Sequence, residues 1–266
     1  GLDYAWRNPQ RRLFFHRIGD PGPDRAEPLR GISYCVPQVS PDGRHVTLVR
    51  GSREPRADLI LDRESGEGWK LFLHDIPAAC YGHLDVDRYI AITTLGVSIP
   101  LASAGDPTTW TELVPQSEGV LRTLDVVSGR LVVCDLVNAS SRIRVFDAHG
   151  KLEDTVPIPA EGAVSGEASW TWWHYVGVPM VNPGDHTISF VHSSFPCSPA
   201  VQVYDLRNRE VVHRGESDIE FARFAVSEHR APADDGAEIP VRLVHRSDVD
   251  LSQPRATVIF AYGGYN

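Results

Sequence analysis

Nowhere in this chain does an apolar stripe persist at helical spacing for three turns. What recurs is a short alternating strand that closes on an Asp, passes a polar turn and leads into another strand. Ser141-Arg-Ile-Arg-Val-Phe-Asp147-Ala-His-Gly150, feeding 152–158, is the clearest copy. Ala200-Val-Gln-Val-Tyr-Asp205-Leu-Arg-Asn208, feeding 210–213, repeats it. The run 121–127, with its Ser128-Gly129 turn before Leu131, is a looser copy, and Ser40-Pro41-Asp42-Gly43-Arg44 supplies a fourth turn. Further strands are expected at 12–18, 46–50, 58–61, 89–94, 131–137, 143–147, 187–192 and 201–206. The 20 prolines and 22 glycines supply the breaks, since proline cannot donate to a strand ladder. Strand pairs returning roughly every 45 to 60 residues predict propeller blades, each too small to bury its own face and so stacked on its neighbours. A long β-sandwich is the structural alternative.

Composition narrows the function. With 42% hydrophobic residues over 266 positions, the chain can build a sizeable core. Its 35 acidic against 26 basic side chains give a net charge of −9, which repels a phosphate backbone and argues against nucleic acid as partner. Cys35, Cys80, Cys134 and Cys197 lie far apart, without a CxxC pair or the histidine spacing of a zinc site, and read as buried reduced thiols. No apolar run approaches membrane length and no signal peptide is visible, so a cytoplasmic protein without a membrane partner is expected. The chain opens on Gly1 and stops on Asn266 directly after an expected strand, and both ends read as cuts.

The pattern changes near Ala231. A turn at Asp234-Asp235-Gly236 leads to a strand at 239–245, a polar connection at 246–255 and a strongly apolar strand at 256–262. Residues 1–230 therefore read as a propeller lacking its N-terminal part, and 231–266 as the beginning of a second domain.

Here the chain resembles the prolyl oligopeptidase family of serine peptidases. Members enter their α/β-hydrolase domain through a DGxxIP turn, a strand ending in His-Arg or His-Lys, a polar hairpin and an apolar strand running into YGGFN. This chain has Asp235-Gly236-Ala237-Glu238-Ile239-Pro240, then Val244-His245-Arg246, then Val258-Ile259-Phe260-Ala261-Tyr262-Gly263-Gly264-Tyr265-Asn266, in the same order. Upstream, Leu13-Phe-Phe-His16-Arg-Ile-Gly19-Asp-Pro21 resembles YHRLGTP, and Val39-Ser-Pro-Asp-Gly43-Arg44 resembles SDDGR. Trp110-Thr-Glu-Leu-Val-Pro115 is similar to WxELIP, and Ser193-Ser-Phe195-Pro-Cys-Ser-Pro199 to TSFLTPP. The chain departs from the family's TNxxAP at Thr93–Pro100 and carries an unusual cluster of Trp170, Trp172 and Trp173.

The resemblance implies an all-β chain: an incomplete β-propeller, seven-bladed in the family, followed by the first strands of an α/β-hydrolase domain. It implies a serine endopeptidase cutting short peptides after proline, with the propeller limiting access, usually monomeric and using no cofactor or metal. It assigns one residue here, Tyr262, whose hydroxyl would donate to the oxyanion hole. The catalytic Ser, Asp and His of the family lie beyond YGGFN, and no G-x-S-x-G elbow occurs in these 266 residues, so the segment alone is expected to be inactive. The nearest trace, Gly96-Val-Ser98-Ile-Pro100, lacks the final glycine.

Other residues read as structural. The eleven histidines form neither HxxxH nor HExxH. Trp170 and Trp172 share a strand face suited to packing, and Asp42, Asp147 and Asp205 suit turns. Two alternatives stand beside the peptidase. One is an oligopeptidase B-like enzyme cutting after basic residues, against which Gly264 and Asn266 argue, and the other is a non-catalytic propeller used as a binding module.

Overall fold

The computed structural model describes residues 13–29, 35–50, 56–73, 81–93, 95–158, 162–165, 180–182, 186–195, 197–215 and 224–261. They contain no α-helix, only strands and two single-turn 3-10 helices, Leu101–Ser103 and Pro107–Thr109. The described chain divides into two compact units, the first running to Thr111 and the second from Glu112 onward, with Gly96 grouped with the second.

The first unit opens on a two-residue pair, β1 (Phe14–Phe15) with β2 (Arg25–Ala26). A longer strand over 12–18 was expected. The turn at Ile18-Gly19, with Gly19 at φ +86°, ends the extended run, and Ile18 stands almost fully in solvent. Next comes an antiparallel meander of β3 (Cys35–Val39), β4 (His45–Arg50), β5 (Arg56–Asp62) and β6 (Trp69–Leu71), paired in chain order. A second meander follows with β7 (Tyr81–Leu84), β8 (Arg88–Ile92), β9 (Gly96–Pro100) and β10 (Thr111–Val114), of which Gly96 and Glu112–Val114 are grouped with the second unit. Leu48, Ala57, Leu73, Tyr89 and Ile90 are buried in this unit, where the Phe72 ring meets Tyr89 edge-on at 5.7 Å.

The second unit holds a third meander, β11 (Val120–Val127), β12 (Arg130–Val137), β13 (Ser140–Phe146) and β14 (Leu152–Thr155). A fourth sheet combines β15 (Ala163–Ser165), β16 (Met180–Asn182), β17 (Thr187–Ser194), β18 (Cys197–Asp205) and β19 (Glu210–Arg214), in the order β15-β17-β18-β19 with β16 also on β17. A two-stranded hairpin closes the series, β20 (Phe224–Pro232) with β21 (Glu238–Arg246). Successive four-stranded meanders are the building unit of a β-propeller, and the architecture is that of a propeller.

Alternation explains the core of the second unit. Val132 and Cys134 on β12, and Ile143 and Val145 on β13, point to one face, where they cluster with Ile188, Phe190, Tyr204 and Leu206 from the fourth sheet. Two sheets bury a shared apolar layer this way, and neither could do so alone. Ser141 adds a polar stitch between them, its N–H donating to Gly162 O and its Oγ accepting from Val164 N.

Two further expectations fail. The apolar strand expected at 256–262 forms no ladder over its described residues, and Val258, Ile259 and Phe260 are 92, 90 and 88% exposed. Apolar sequence favours a strand only where a partner supplies hydrogen bonds and a covering face, and the described residues provide neither. Cys134 is a buried free thiol as expected, whereas Cys197 is only half-buried, because it pairs with Ser194 at an irregular register beside the turn that opens β18. Trp170, Trp172 and Trp173 lie outside the described residues.

Candidate functional site

The single residue to which the sequence assigns catalysis, Tyr262, lies outside the described residues; the chain leading to it does not. The hairpin β20–β21 runs unbroken through position 231, pairing Arg230 with Pro240 and Ala231 with Ile239. Its loop is the expected one: Gly236 adopts φ +86°, Asp235 Oδ1 accepts from Ala237 N at 3.0 Å, and Gly236 N donates to Ala233 O. Pro240 is tolerated because the two-stranded sheet has only edges. After β21, Asp248 accepts a two-pronged hydrogen bond from Arg246 at 3.0 and 2.5 Å, and Asp250 accepts from Ser252 N. These contacts turn the chain before it runs exposed to Ala261.

No described serine stands on a strand-to-helix turn. Ser98 lies inside β9 and is buried. Among the described residues no group of three His, Cys, Asp or Glu is placed to hold a metal ion.

The third sheet instead holds a buried charge cluster around Asp135 and two groups, Asp125 and Cys134, whose acidity burial weakens. Asp135 on β12 is fully buried and faces Arg142 across the strand pair. Arg142 Nε and Nη2 grip its carboxylate at 3.2 and 2.6 Å, while Arg142 Nη1 reaches Glu118 at 2.9 Å. Arg144, two residues along and on the same face, approaches Asp135 at 3.0 Å and lies 5.1 Å from the Phe146 ring centre. Neither Nε nor Nη2 of Arg144 has an aligned hydrogen bond, so its charge is balanced by proximity and by the ring. The fork on Asp135 holds the Arg142 guanidinium above its ordinary pKa. Removing the carboxylate would leave two partly buried guanidinium groups uncompensated.

On β11, Asp125 projects between Thr123 and Val127. Part of the residue reaches solvent, yet its Oδ2 is sealed from water without a hydrogen-bond partner, as is Thr123 Oγ1. Burial pushes the Asp125 carboxyl up to about 7. Burial, aided by the neighbouring Asp135 charge, pushes the Cys134 thiol up to about 12, which makes it unreactive. Tyr204 donates to Asp154, and burial first, then that hydrogen bond, raises the phenol above its usual range.

The turn carboxylates behave as expected. Asp42 accepts from Ser40 Oγ and Arg44 N, Asp147 from His149 N and Lys151 N, and Asp205 from Arg207 N and Asn208 N. Those hydrogen bonds hold all three below the ordinary carboxylate range. The Asp135 cluster was not anticipated. Its signal was a carboxylate inside the apolar run Leu131 to Val137, with two arginines alternating in β13. These residues hold an internally paired charge cluster at Asp135 and a carboxyl at Asp125 that keeps its proton to near neutrality, but among the described residues there is no activated nucleophile.

Known proteins place this fold. Residues 97–176 match the family model for the prolyl oligopeptidase N-terminal β-propeller domain. A structure from work on two prolyl endopeptidases and the role of inter-domain dynamics in their catalysis and specificity is 21% identical, with a TM-score of 0.71 over 90% of this chain and 35% of that one. Prolyl oligopeptidase B from Galerina marginata, in its apo form, is 14% identical with a TM-score of 0.69 and the same coverage. A form of that enzyme bound to a 35mer hydrolysis and macrocyclization substrate gives 14% identity and 0.68, over 91% of this chain and 36% of that one. The chain spans about a third of the length of these proteins. Residues 97–176 thus carry the signature of the prolyl oligopeptidase propeller, the chain has that propeller's fold, and the resemblance read from its sequence holds.

Proposed function

We propose that the chain is part of a serine endopeptidase of the prolyl oligopeptidase type, acting in the cytoplasm on short peptides after proline. Residues 1–230 serve as the propeller that restricts access, and 231–266 begin the hydrolase domain. The observation that carries this reading is the collinear run from Asp235-Gly236 through Ile239-Pro240 and His245-Arg246 to Tyr262-Gly263-Gly264, downstream of a segment that matches the family's propeller model.

The chemistry asked of Tyr262 is specific. Acyl transfer turns the scissile carbonyl into an oxyanion, and a preorganised hydroxyl aimed at that oxygen stabilises the transition state more than the bound substrate. Gly263 and Gly264 leave room for the substrate backbone and permit a sharp turn. Nucleophile, base and orienting acid come from family segments outside these 266 residues, so the segment alone should not turn over a proline-containing chromogenic peptide.

The test joins this segment to a homologous C-terminal half that restores Ser, Asp and His. Tyr262→Phe keeps the ring and removes the donor, and should lower kcat by roughly 10²- to 10³-fold with KM nearly unchanged. A kcat within about twofold of the parent would remove Tyr262 from the oxyanion hole.

A further inference from the structure

A hairpin of two strands is marginal in water unless something packs against it. Among the described residues β20–β21 buries little apolar surface: Val226, Ile239, Val241 and Val244 are all substantially exposed. What meets it within the second unit is the tip of the third sheet, the two-residue loop Asn138-Ala139 between β12 and β13. Both loop residues are left-handed, Asn138 at φ +50° and Ala139 at φ +59°, as in a type I′ turn. Such a loop leaves its own carbonyl oxygens outside the ladder.

Register brings three charged residues of the hairpin to that tip. Glu228 pairs with Arg242 across the hairpin, and Arg230 lies two residues along on the same face. Arg242 Nη2 donates to Asn138 O at 2.8 Å and to Ser140 Oγ at 2.6 Å, and Nη1 to Ala139 O at 3.3 Å. Arg230 Nη2 donates to Asn138 Oδ1 at 3.1 Å. Glu228 stands 3.7 Å from Arg230 and 4.0 Å from Arg242, holding both heads toward the loop. Arg242 is the least exposed of the three, with 16% of its side chain accessible.

We propose that Arg242 is a clasp: its guanidinium fixes the β20–β21 hairpin on the Asn138-Ala139 loop, and the hairpin docks on and leaves the third sheet as one unit when that contact forms or breaks. The fork geometry is essential, because three acceptors on two adjacent residues and a flanking serine match a planar group with several donors and do not match a single ammonium point. Arg230 on the loop's side-chain amide and Glu228 behind both heads make the contact cooperative. Any role of the clasp in opening the peptidase rests on the function proposed above; the clasp itself needs no activity to be tested.

Hydrogen exchange followed by mass spectrometry on the whole chain reads it directly. Arg242→Ala should speed exchange in β20 and β21 by about tenfold or more while the interior amides of β12 and β13 keep their rates. Arg242→Lys, which keeps the charge and loses the fork, should recover only part of the protection. Ser140→Ala, which removes one of the three acceptors of Arg242, should loosen the hairpin less than Arg242→Ala does. If Arg242→Ala does not fold, the lysine and Ser140→Ala variants decide. Hairpin exchange that is unchanged in the variants, or that rises together with the whole third sheet, overturns the clasp. Neither result would bear on the Tyr262 test.

Discussion

The third sheet and the terminal hairpin are both antiparallel, and they are stabilised by opposite means. β12 reads Arg-Leu-Val-Val-Cys-Asp-Leu-Val and is covered on both faces, with Leu131, Val132, Val133 and Cys134 at most 1% exposed. β20 reads Phe-Ala-Val-Ser-Glu-His-Arg-Ala-Pro and has no fully buried residue. A propeller strand sits between neighbouring faces and gains from nearly every methyl group it carries. The hairpin gains little from apolar area and is held through the charged contacts of Arg242, Arg230 and Glu228. Packing stabilises the one and a localised polar contact the other, so equal chemical changes should have unequal effects.

The largest contrast is Ile143→Ala against Ile239→Ala. Ile143 is fully buried within the apolar layer of the third and fourth sheets, and its truncation should cost about 2–5 kcal/mol through lost transfer energy and the cavity left behind. Ile239 is 49% exposed, and the same truncation should cost less than about 0.5 kcal/mol. Urea midpoints at constant slope measure both. Equal losses would show that the hairpin has an apolar cover and would break the comparison.

How much of this was legible follows the same division. Strands such as β12, β13 and β18 were visible because period-2 alternation and an Asp-bearing turn coincide, as at Ser141 to Gly150. β20 was not visible: Glu228-His229-Arg230 interrupts its apolar positions, and only the turn at Asp235-Gly236 with its downstream strand implies an upstream partner. The stretch 256–260 misled in the other direction, since its apolar residues signal a need for burial and not the presence of a partner strand. Asp135 was conspicuous in sequence, but its pairing with Arg142 depends on register, which no local pattern encodes. Of the site, only the motif leading to Tyr262 was legible, because it rests on collinear resemblance; the Arg242 clasp joins residues about a hundred positions apart, a separation that only the fold closes.

The second contrast is in pH. Asp125 keeps its proton in the folded state up to about 7, whereas an unfolded Asp loses it near about 3.9. Between those values the folded chain binds more protons, so stability falls as pH rises through the window, with a slope of at most about 1.4 kcal/mol per pH unit. Asp42, Asp147 and Asp205 have lowered pKa values and act oppositely: their contribution is present above about pH 4 and is lost as pH falls below it. Asp125→Asn should therefore flatten the decline between about pH 4 and about pH 7 and leave the acid limb intact. A decline of the same slope in the variant would show that Asp125 ionises freely.

The smallest effect is expected at the loop where the two regions meet. Ala139 holds φ +59°, a left-handed conformation that costs an L-residue roughly 1–2 kcal/mol because Cβ crowds the backbone. Glycine adopts it without that crowding, while giving back about 0.4–1 kcal/mol through its freer unfolded chain. Ala139→Gly should therefore stabilise the protein by about 0.5–1 kcal/mol. Asn138, also left-handed, is a residue that tolerates the conformation, and Asn138→Gly should gain less while losing the side-chain oxygen that Arg230 uses. Since Ala139→Gly keeps the carbonyl oxygen that Arg242 grips, hairpin exchange should stay slow as the urea midpoint rises. A stabilised sheet with a loosened hairpin would mean that the stiffness of the loop, and not the carbonyls it presents, is what holds the hairpin in place.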